Sequence, residues 1–148
     1  MHNNFRKPSS QKVTEFLAKQ GPFDLAVTVN LKKRHSIHQI NNSIEQAEKS
    51  GHWLRKRLNE RILKRKYRVG YERLNSICCV EKGDIEKRLH LHLALGIPTH
   101  IERSEFIGNL MKIHKKMDWA YGEVHLSPYL TNGWIEYISK EGFDSVLL

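Results

Sequence analysis

Polar and apolar side chains alternate through the segment LHLHLAL, residues 89–95. Successive side chains of a β-strand point to opposite faces of the sheet, so this alternation places His90 and His92 on one face and the leucines on the other. Because the leucines face the core, the imidazoles point to the uncovered face. Side chains two residues apart on a strand are separated by roughly 6–7 Å, which is close enough for both imidazoles to bind one metal ion.

The residues before this strand have the composition of a hairpin partner. From Arg68 to Glu81, β-branched and aromatic residues become frequent, and Lys82-Gly83-Asp84 provides a turn before the strand over 89–97. Such a hairpin brings Glu81 alongside His90. A carboxylate beside two imidazoles makes a three-ligand metal site with open positions for water and a phosphate oxygen.

The N-terminal half of the chain contains one further strand and one long helix. Residues 25–31 alternate as a half-buried strand does. From Ile40 to Ile62 apolar residues recur at three-, four- and seven-residue spacing, which predicts an amphipathic helix with Gly51 as a candidate break.

The C-terminal half repeats this order of elements. Thr99 and Glu102 have the spacing of a helix capping box, and apolar residues from 106 to 117 mark one helical face. Residues 123–126 alternate again as a last strand. Asn132 is expected to cap a short helix that ends at Gly142.

The predicted order β-α-β-β-α-β-α indicates an α+β domain. We expect an antiparallel central sheet of about four or five strands with helices on one face, as in RRM-like and ferredoxin-like domains. The other face should stay open and carry the functional site. Residues 1–22 are expected to form a polar arm, and residues 23–148 a single domain.

The charge balance indicates a polyanionic partner. The formal net charge is +9, and lysines and arginines that neutralise phosphates release condensed counterions. Nucleic acid is favoured over a membrane surface, because the apolar stripes are committed to a core. The basic run over 55–68 fits either a phosphate track or a solvated helix face. Without a secretory signal, and with Cys78 and Cys79 adjacent and unsuited to bridging, a cytoplasmic location is expected.

A candidate nucleophile lies near the C-terminus. The segment over 134–140 is predicted to be helical, so Tyr137 and Lys140, three residues apart, share a face. A phenol is a poor nucleophile at neutral pH, and a nearby ammonium group favours the phenolate. Taken alone, Tyr137 is better explained as a tyrosine at the edge of the core with its hydroxyl group in solvent.

Three motifs in this order resemble the nuclease domain of rolling-circle replication initiators, the Rep branch of the HUH endonuclease superfamily. The stretch VTVN, residues 27–30, is similar to the first Rep motif. The stretch HLH, residues 90–92, matches the His-hydrophobic-His metal motif, and YISK, residues 137–140, matches the Tyr-x-x-Lys motif. The resemblance extends over nearly the whole chain, from Leu25 to about Lys140.

The resemblance implies a metal-dependent cleavage of single-stranded DNA. Glu81, His90 and His92 would hold Mn²⁺ or Mg²⁺. Tyr137 would attack the phosphate to form a 5′-phosphotyrosine bond, and Lys140 would orient or activate the tyrosine. A helicase would be a separate protein, and the nuclease would be a monomer or weak oligomer. The residues expected to contact DNA are Thr28, Asn30, Lys32, Lys33, Arg34 and His125.

Two alternatives to the Rep interpretation stay open. In the single-tyrosine transposases of insertion sequences the third metal ligand comes from the tyrosine helix, four residues after the tyrosine, and that position here is Glu141. A non-catalytic RRM-like binding module would stack bases on aromatic residues of its central strands. The strand over 89–95 contains no aromatic residue except its histidines, which disfavours this second alternative.

Overall fold

The computed structural model describes residues 10–82 and 88–147 of the 148-residue chain. Helices and strands alternate in it, with two short elements at the C-terminal end. In chain order they are α1 (Ser10–Ala18), β1 (Leu25–Asn30), α2 (Ile44–Leu63), α3 (Arg65–Arg68), β2 (Ser76–Glu81), β3 (His90–Leu95), α4 (Arg103–Lys115), β4 (His125–Pro128), α5 (Gly133–Ile138), a 3₁₀ helix (Phe143–Ser145) and β5 (Val146–Leu147).

The strands form one antiparallel sheet in the order β4-β1-β3-β2-β5. The first four follow the order of ferredoxin-like and RRM-like domains, which confirms the predicted α+β class. In the register of the sheet, His90 lies between Asn30 and Glu81, and His92 lies between Thr28 and Cys79. Polar side chains therefore form two neighbouring rows across the middle of the sheet.

Helices α2 and α4 cover the first face of the sheet. The alternating apolar residues of β1 and β3 and the side chain of Cys78 form the main core beneath them. The predicted break of α2 at Gly51 is wrong, because the helix continues to Leu63. No described helix is both long enough and apolar enough to cross a membrane.

The second face is partly covered, although the sequence predicted an open face. Residues 10–18 of the expected arm form α1, whose Val13 and Leu17 are buried. With Ile135 and Ile138 of α5 they form a second apolar cluster, which includes Cys79 of β2. The two helices leave uncovered the end of the sheet where β1 finishes and β3 begins. Residues 1–9 of the arm lie outside the described part of the chain.

Element boundaries differ from the predictions where capping decides them. Helix α4 begins after Glu102, which caps it without a side-chain hydrogen bond, so the capping box with Thr99 is wrong. Helix α5 ends at Ile138 with Ser139 as its C-cap, several residues before the predicted end at Gly142. Gly83 and Asp84 of the expected hairpin turn lie outside the described residues.

Candidate active site

A cleft of about 750 Å³ opens on the uncovered end of the second face. Its walls come from the four strands β1 to β4, from α5 and from the segments that follow β2 and α5. The lining residues are Thr28, Asn30, Glu81, Lys82, His90, His92, His125, Trp134, Tyr137 and Glu141.

Side chains of β1 hold both histidines by the same ring nitrogen. His92 Nδ1 lies 3.0 Å from Thr28 Oγ1, and His90 Nδ1 lies 2.6 Å from Asn30 Oδ1. The two rings are nearly parallel, with centroids 6.2 Å apart. Because Nδ1 is engaged in each ring, Nε2 is the nitrogen left for a further partner, as in many metal-binding histidines.

Glu81 joins His92 to Lys140. One carboxylate oxygen contacts Nε2 of the buried His92, and the other lies 2.6 Å from Lys140 Nζ. Burial, the largest single influence, raises the pKa of Glu81, but the hydrogen bonds with Lys140 and His92 together outweigh it, so the pKa lies below its ordinary value. Glu81 is therefore a carboxylate at neutral pH.

Tyr137 lies at the mouth of the cleft, half-exposed and beside Lys140. Lys140 Nζ lies 3.8 Å from the centroid of the Tyr137 ring. The predicted contact is present, but the predicted shared helix face is wrong, because Lys140 lies in the turn after α5. The hydrogen bond with Glu81 raises the pKa of Lys140, burial opposes this, and Tyr137 raises it further, so Lys140 is a cation at neutral pH.

Trp134 belongs to the cleft and was missed by the sequence reasoning. Its ring stacks on Tyr137 at a centroid distance of 5.7 Å and meets His92 edge-on at 5.4 Å. The indole nitrogen Nε1 donates to the carbonyl oxygen of Leu93 over 2.8 Å, which fixes the ring on β3. The available signal was the helical spacing, because an aromatic residue three positions before Tyr137 lies on the same face of α5.

The three expected metal ligands line one cleft, and their donor atoms are of the types that bind divalent cations. Among the described residues, no group of three or more His, Cys, Asp or Glu side chains is arranged as a metal site. The contact between Glu81 and His92 nevertheless joins two of the expected donors, and Nδ1 of each histidine is already held. Burial lowers the pKa of His90, which favours the neutral imidazole that metals bind. The donor set therefore fits a divalent cation.

Glu141, the alternative third ligand, also lines the cleft but is engaged elsewhere. Its Oε2 accepts a hydrogen bond from the backbone nitrogen of Lys82 over 3.4 Å. Glu81, in contrast, is the carboxylate that contacts His92. The geometry favours Glu81 over Glu141 as the partner of the two histidines.

The residues expected to contact DNA fall into two groups. Thr28, Asn30 and His125 line the cleft, the first two as supports of the histidines. The basic run Lys32 to Arg34 lies outside the cleft lining. Lys32 Nζ donates to the backbone oxygen of Asp118 over 2.9 Å and Arg34 Nε to Gln39 over 3.1 Å, whereas Lys33 is exposed.

The comparisons with known proteins give no match. No family model, no curated protein and no solved structure matches the chain. A functional interpretation therefore depends on the residues and the geometry of the cleft.

Proposed function

We propose that this protein is a single-tyrosine endonuclease of the HUH type, which nicks single-stranded DNA and becomes covalently joined to it through Tyr137. One observation carries the proposal: Glu81, His90, His92 and Tyr137 line one cleft, and Lys140 contacts both Glu81 and Tyr137. These residues come from β2, β3, α5 and the turn after α5. A net charge of +9 adds the affinity for phosphates that such a substrate requires.

Glu81, His90 and His92 are the residues that would hold Mn²⁺ or Mg²⁺. The bound cation would supply Lewis-acid polarisation of the scissile phosphate. Thr28 and Asn30 fix the two imidazole rings through Nδ1, so Nε2 would be the ligating nitrogen of each ring.

Tyr137 carries the nucleophilic oxygen of the proposed reaction. A bond forms between its phenolic oxygen and the phosphorus, the bond from phosphorus to the 3′ oxygen breaks, and a 5′-phosphotyrosine linkage results. The phenolic proton passes to water, and the leaving 3′ oxygen takes up a proton to become a hydroxyl. The ammonium group of Lys140 balances the charge that builds on the phosphate, and Trp134 restricts the tyrosine ring by stacking.

The released 3′ hydroxyl group would prime replication, and the reverse reaction would reseal the strand, so initiation of rolling-circle replication is the proposed role. A separate helicase would supply the single strand. A transposase with Glu141 as the third ligand is the second catalytic candidate, since Glu141 lines the same cleft. The contact of Glu81 with His92 supports the replication initiator instead.

A covalent-adduct assay tests the proposal. The protein is incubated with Mn²⁺ and a pool of single-stranded oligonucleotides that includes hairpins, and then denatured with heat and detergent. A phosphotyrosine ester survives this treatment, whereas salt-dependent binding does not, so some of the protein should migrate with DNA attached. Chelation of the metal and the Tyr137→Phe variant should each abolish the adduct.

Peptide mass spectrometry then locates the nucleotide. We expect it on the peptide that contains Tyr137 and on no peptide that contains Tyr121 or Tyr129. An adduct on another tyrosine would keep the enzyme class and remove Tyr137 from the site. Complete absence of adducts across the pool would leave the non-catalytic RRM-like binding module as the better interpretation.

A further inference from the structure

A second cavity, which we call the basic pocket, lies near the opposite end of β2 from the cleft. Its volume is about 580 Å³, and α1, α2, the start of β2 and the strand β5 frame it. Ser76 begins β2 and lines this pocket, whereas Glu81 ends the strand and lines the cleft. At about 3.3 Å per residue, roughly 17 Å of strand separates them.

The basic pocket has a one-sided charge. His52, Arg55, Lys56 and Arg73 line it, and no Asp or Glu among the described residues does. The groove between α2 and α4 is different, because Glu60 and Glu105 line it together with its basic residues. A concave surface with uncompensated positive charge attracts anions more strongly than a mixed one.

The cations of the pocket differ in how they are held. Arg55 is fixed by hydrogen bonds from Nε to Ser76 Oγ over 3.2 Å and from its terminal nitrogen to the Leu147 carbonyl over 2.7 Å. The side chains of Lys56 and Arg73 make neither a hydrogen bond nor an ion pair with any described residue. Their donors are therefore available to a ligand.

The cleft has few such donors of its own. Lys140 is paired with Glu81, which leaves Lys82 as the unpaired lysine among the described lining residues. Proteins that hold single strands combine a positive groove with aromatic rings on which bases stack. The basic pocket offers both features, because the half-buried ring of Tyr67 lines it beside the cations.

We propose that the basic pocket binds the phosphodiester backbone of the single strand whose scissile phosphate enters the cleft. Lys56 and Arg73 contact the phosphates, and Tyr67 lies beside a base. This inference rests on the proposed nucleic-acid substrate and adds a second contact region, remote from the cleft.

The test compares two variants that remove the same charge. One is Lys56→Ala with Arg73→Ala, in the basic pocket. The other is Arg61→Ala with Lys112→Ala, in the groove between α2 and α4. Affinity for a fluorescent single-stranded oligonucleotide of about 16 nucleotides is measured across a salt series, and circular dichroism checks that both variants are folded.

The pocket variant should bind on the order of tenfold more weakly at low salt. The slope of its log affinity against log salt concentration should be shallower by about 1.4, since each phosphate contact on a single strand contributes about 0.7 to that slope. The groove variant should stay within about twofold of the wild type. Equal losses in the two variants would mean that only net charge matters and would overturn the inference, as would no loss in either.

The outcome is separable from that of the proposed nuclease. Adduct formation without a difference between the two variants would retain the nuclease and reject the pocket. A selective loss of binding in the pocket variant without any adduct in the wild type would retain the pocket and reject the nuclease.

Discussion

His92 is the most tightly held side chain of the cleft. It is 5% exposed, its two ring nitrogens contact Thr28 and Glu81, and Trp134 and Tyr137 meet its ring edge-on. If His92 is a ligand of the proposed metal site, its replacement should weaken metal binding while the sheet around it persists. We expect His92→Ala to lower the affinity for Mn²⁺ by about tenfold or more in titration calorimetry. Mn²⁺ should bind the wild type more tightly than Mg²⁺, because imidazole suits Mn²⁺ better.

His125→Ala is the matched control, since His125 lines the same cleft from β4 but is exposed. Its Mn²⁺ affinity should equal that of the wild type. Equal affinities in wild type and a folded His92→Ala variant would remove His92 from the metal site.

The ion pair between Glu81 and Lys140 should make stability depend on pH. The pKa of Glu81 is lowered from its ordinary value of 4.5, so its stabilisation is complete above that value and is lost as the pH falls through the lowered one. The pKa of Lys140 is raised, so its stabilisation is lost only as the pH rises past 10.5. Glu81→Gln should therefore lower the free energy of unfolding more near neutral pH than in acid. The loss near neutral pH should be at most about 1 kcal/mol, because solvent screens a pair whose Lys140 side chain is 42% exposed.

Denaturant unfolding in the presence of a chelator, repeated from acid to alkaline pH, measures this difference. Glu72→Gln is the control, because the pair of Glu72 with Lys66 is longer, at 3.8 Å, and both side chains are more exposed. A pH-independent cost for Glu81→Gln would show that the ion pair contributes nothing to the stability of the fold.

Residue positions in the cleft were predictable where a local period sets them. Alternation fixed the face of His90 and His92, and the hairpin brought Glu81 beside them. The contact of Trp134 with Leu93 joins residues 41 positions apart, and the pair of the buried His35 with the exposed Asp118 joins residues 83 apart. No local period encodes such contacts, because tertiary packing brings their partners together.

At the scale of elements, two helical glycines should respond oppositely to alanine. A Cβ at Gly51 would lie 2.5 Å from Leu147 Cδ1 and 3.1 Å from Cys78 Sγ, whereas a Cβ at Gly108 of α4 would meet nothing within 4 Å. Alanine favours a helix over glycine by about 1 kcal/mol. Gly108→Ala should therefore stabilise the protein by up to that amount, and Gly51→Ala should destabilise it by about 1–3 kcal/mol through overpacking.

Chemical denaturation of both variants gives the two free energies of unfolding, and each variant serves as the control of the other. A stabilising Gly51→Ala would mean that β5 does not approach α2 closely. The close approach also explains the wrong prediction at Gly51. In the sequence the glycine resembles a helix break. In the structure Cys78 of β2 and Leu147 of β5 pack where a side chain at position 51 would lie.

Helix α1 was not predicted from the sequence, again because tertiary packing decides its position. Its apolar residues, Val13 and Leu17, are few, and its exposed face is polar, so the segment resembles an arm. Only its packing partners on α5 and the sheet identify the buried side. The long strands and helices were predictable because their periods extend over several turns or pleats.

At the scale of the whole molecule, the net charge of +9 should dominate binding. Affinity for a single-stranded oligonucleotide should fall by at least about tenfold between about 50 and about 200 mM salt. Tyr137→Phe should bind equally well, since the hydroxyl group it removes is not among the proposed phosphate contacts of the basic pocket. Fluorescence anisotropy of a labelled oligonucleotide measures both effects.

An oligonucleotide with an uncharged methylphosphonate backbone is the control, and its binding should be weak and nearly independent of salt. If Tyr137→Phe lost binding together with catalysis while remaining folded, the tyrosine would be a base-stacking residue, and the non-catalytic interpretation would gain support.

The adjacent cysteines of β2 can report separately on the opening of the two layers that cover the sheet. Cys78 lies in the layer under α2 and α4, and Cys79 in the layer under α1 and α5. Burial raises the pKa of both thiols to about 12, so alkylation must wait until a layer opens. In variants that keep only one of the two cysteines, the alkylation rate of the remaining thiol measures how often its layer opens. Because α1 and α5 are shorter than α2 and α4, their layer should open more readily, and Cys79 should react first. The layer that contains Tyr137 would then be the one that opens locally more often.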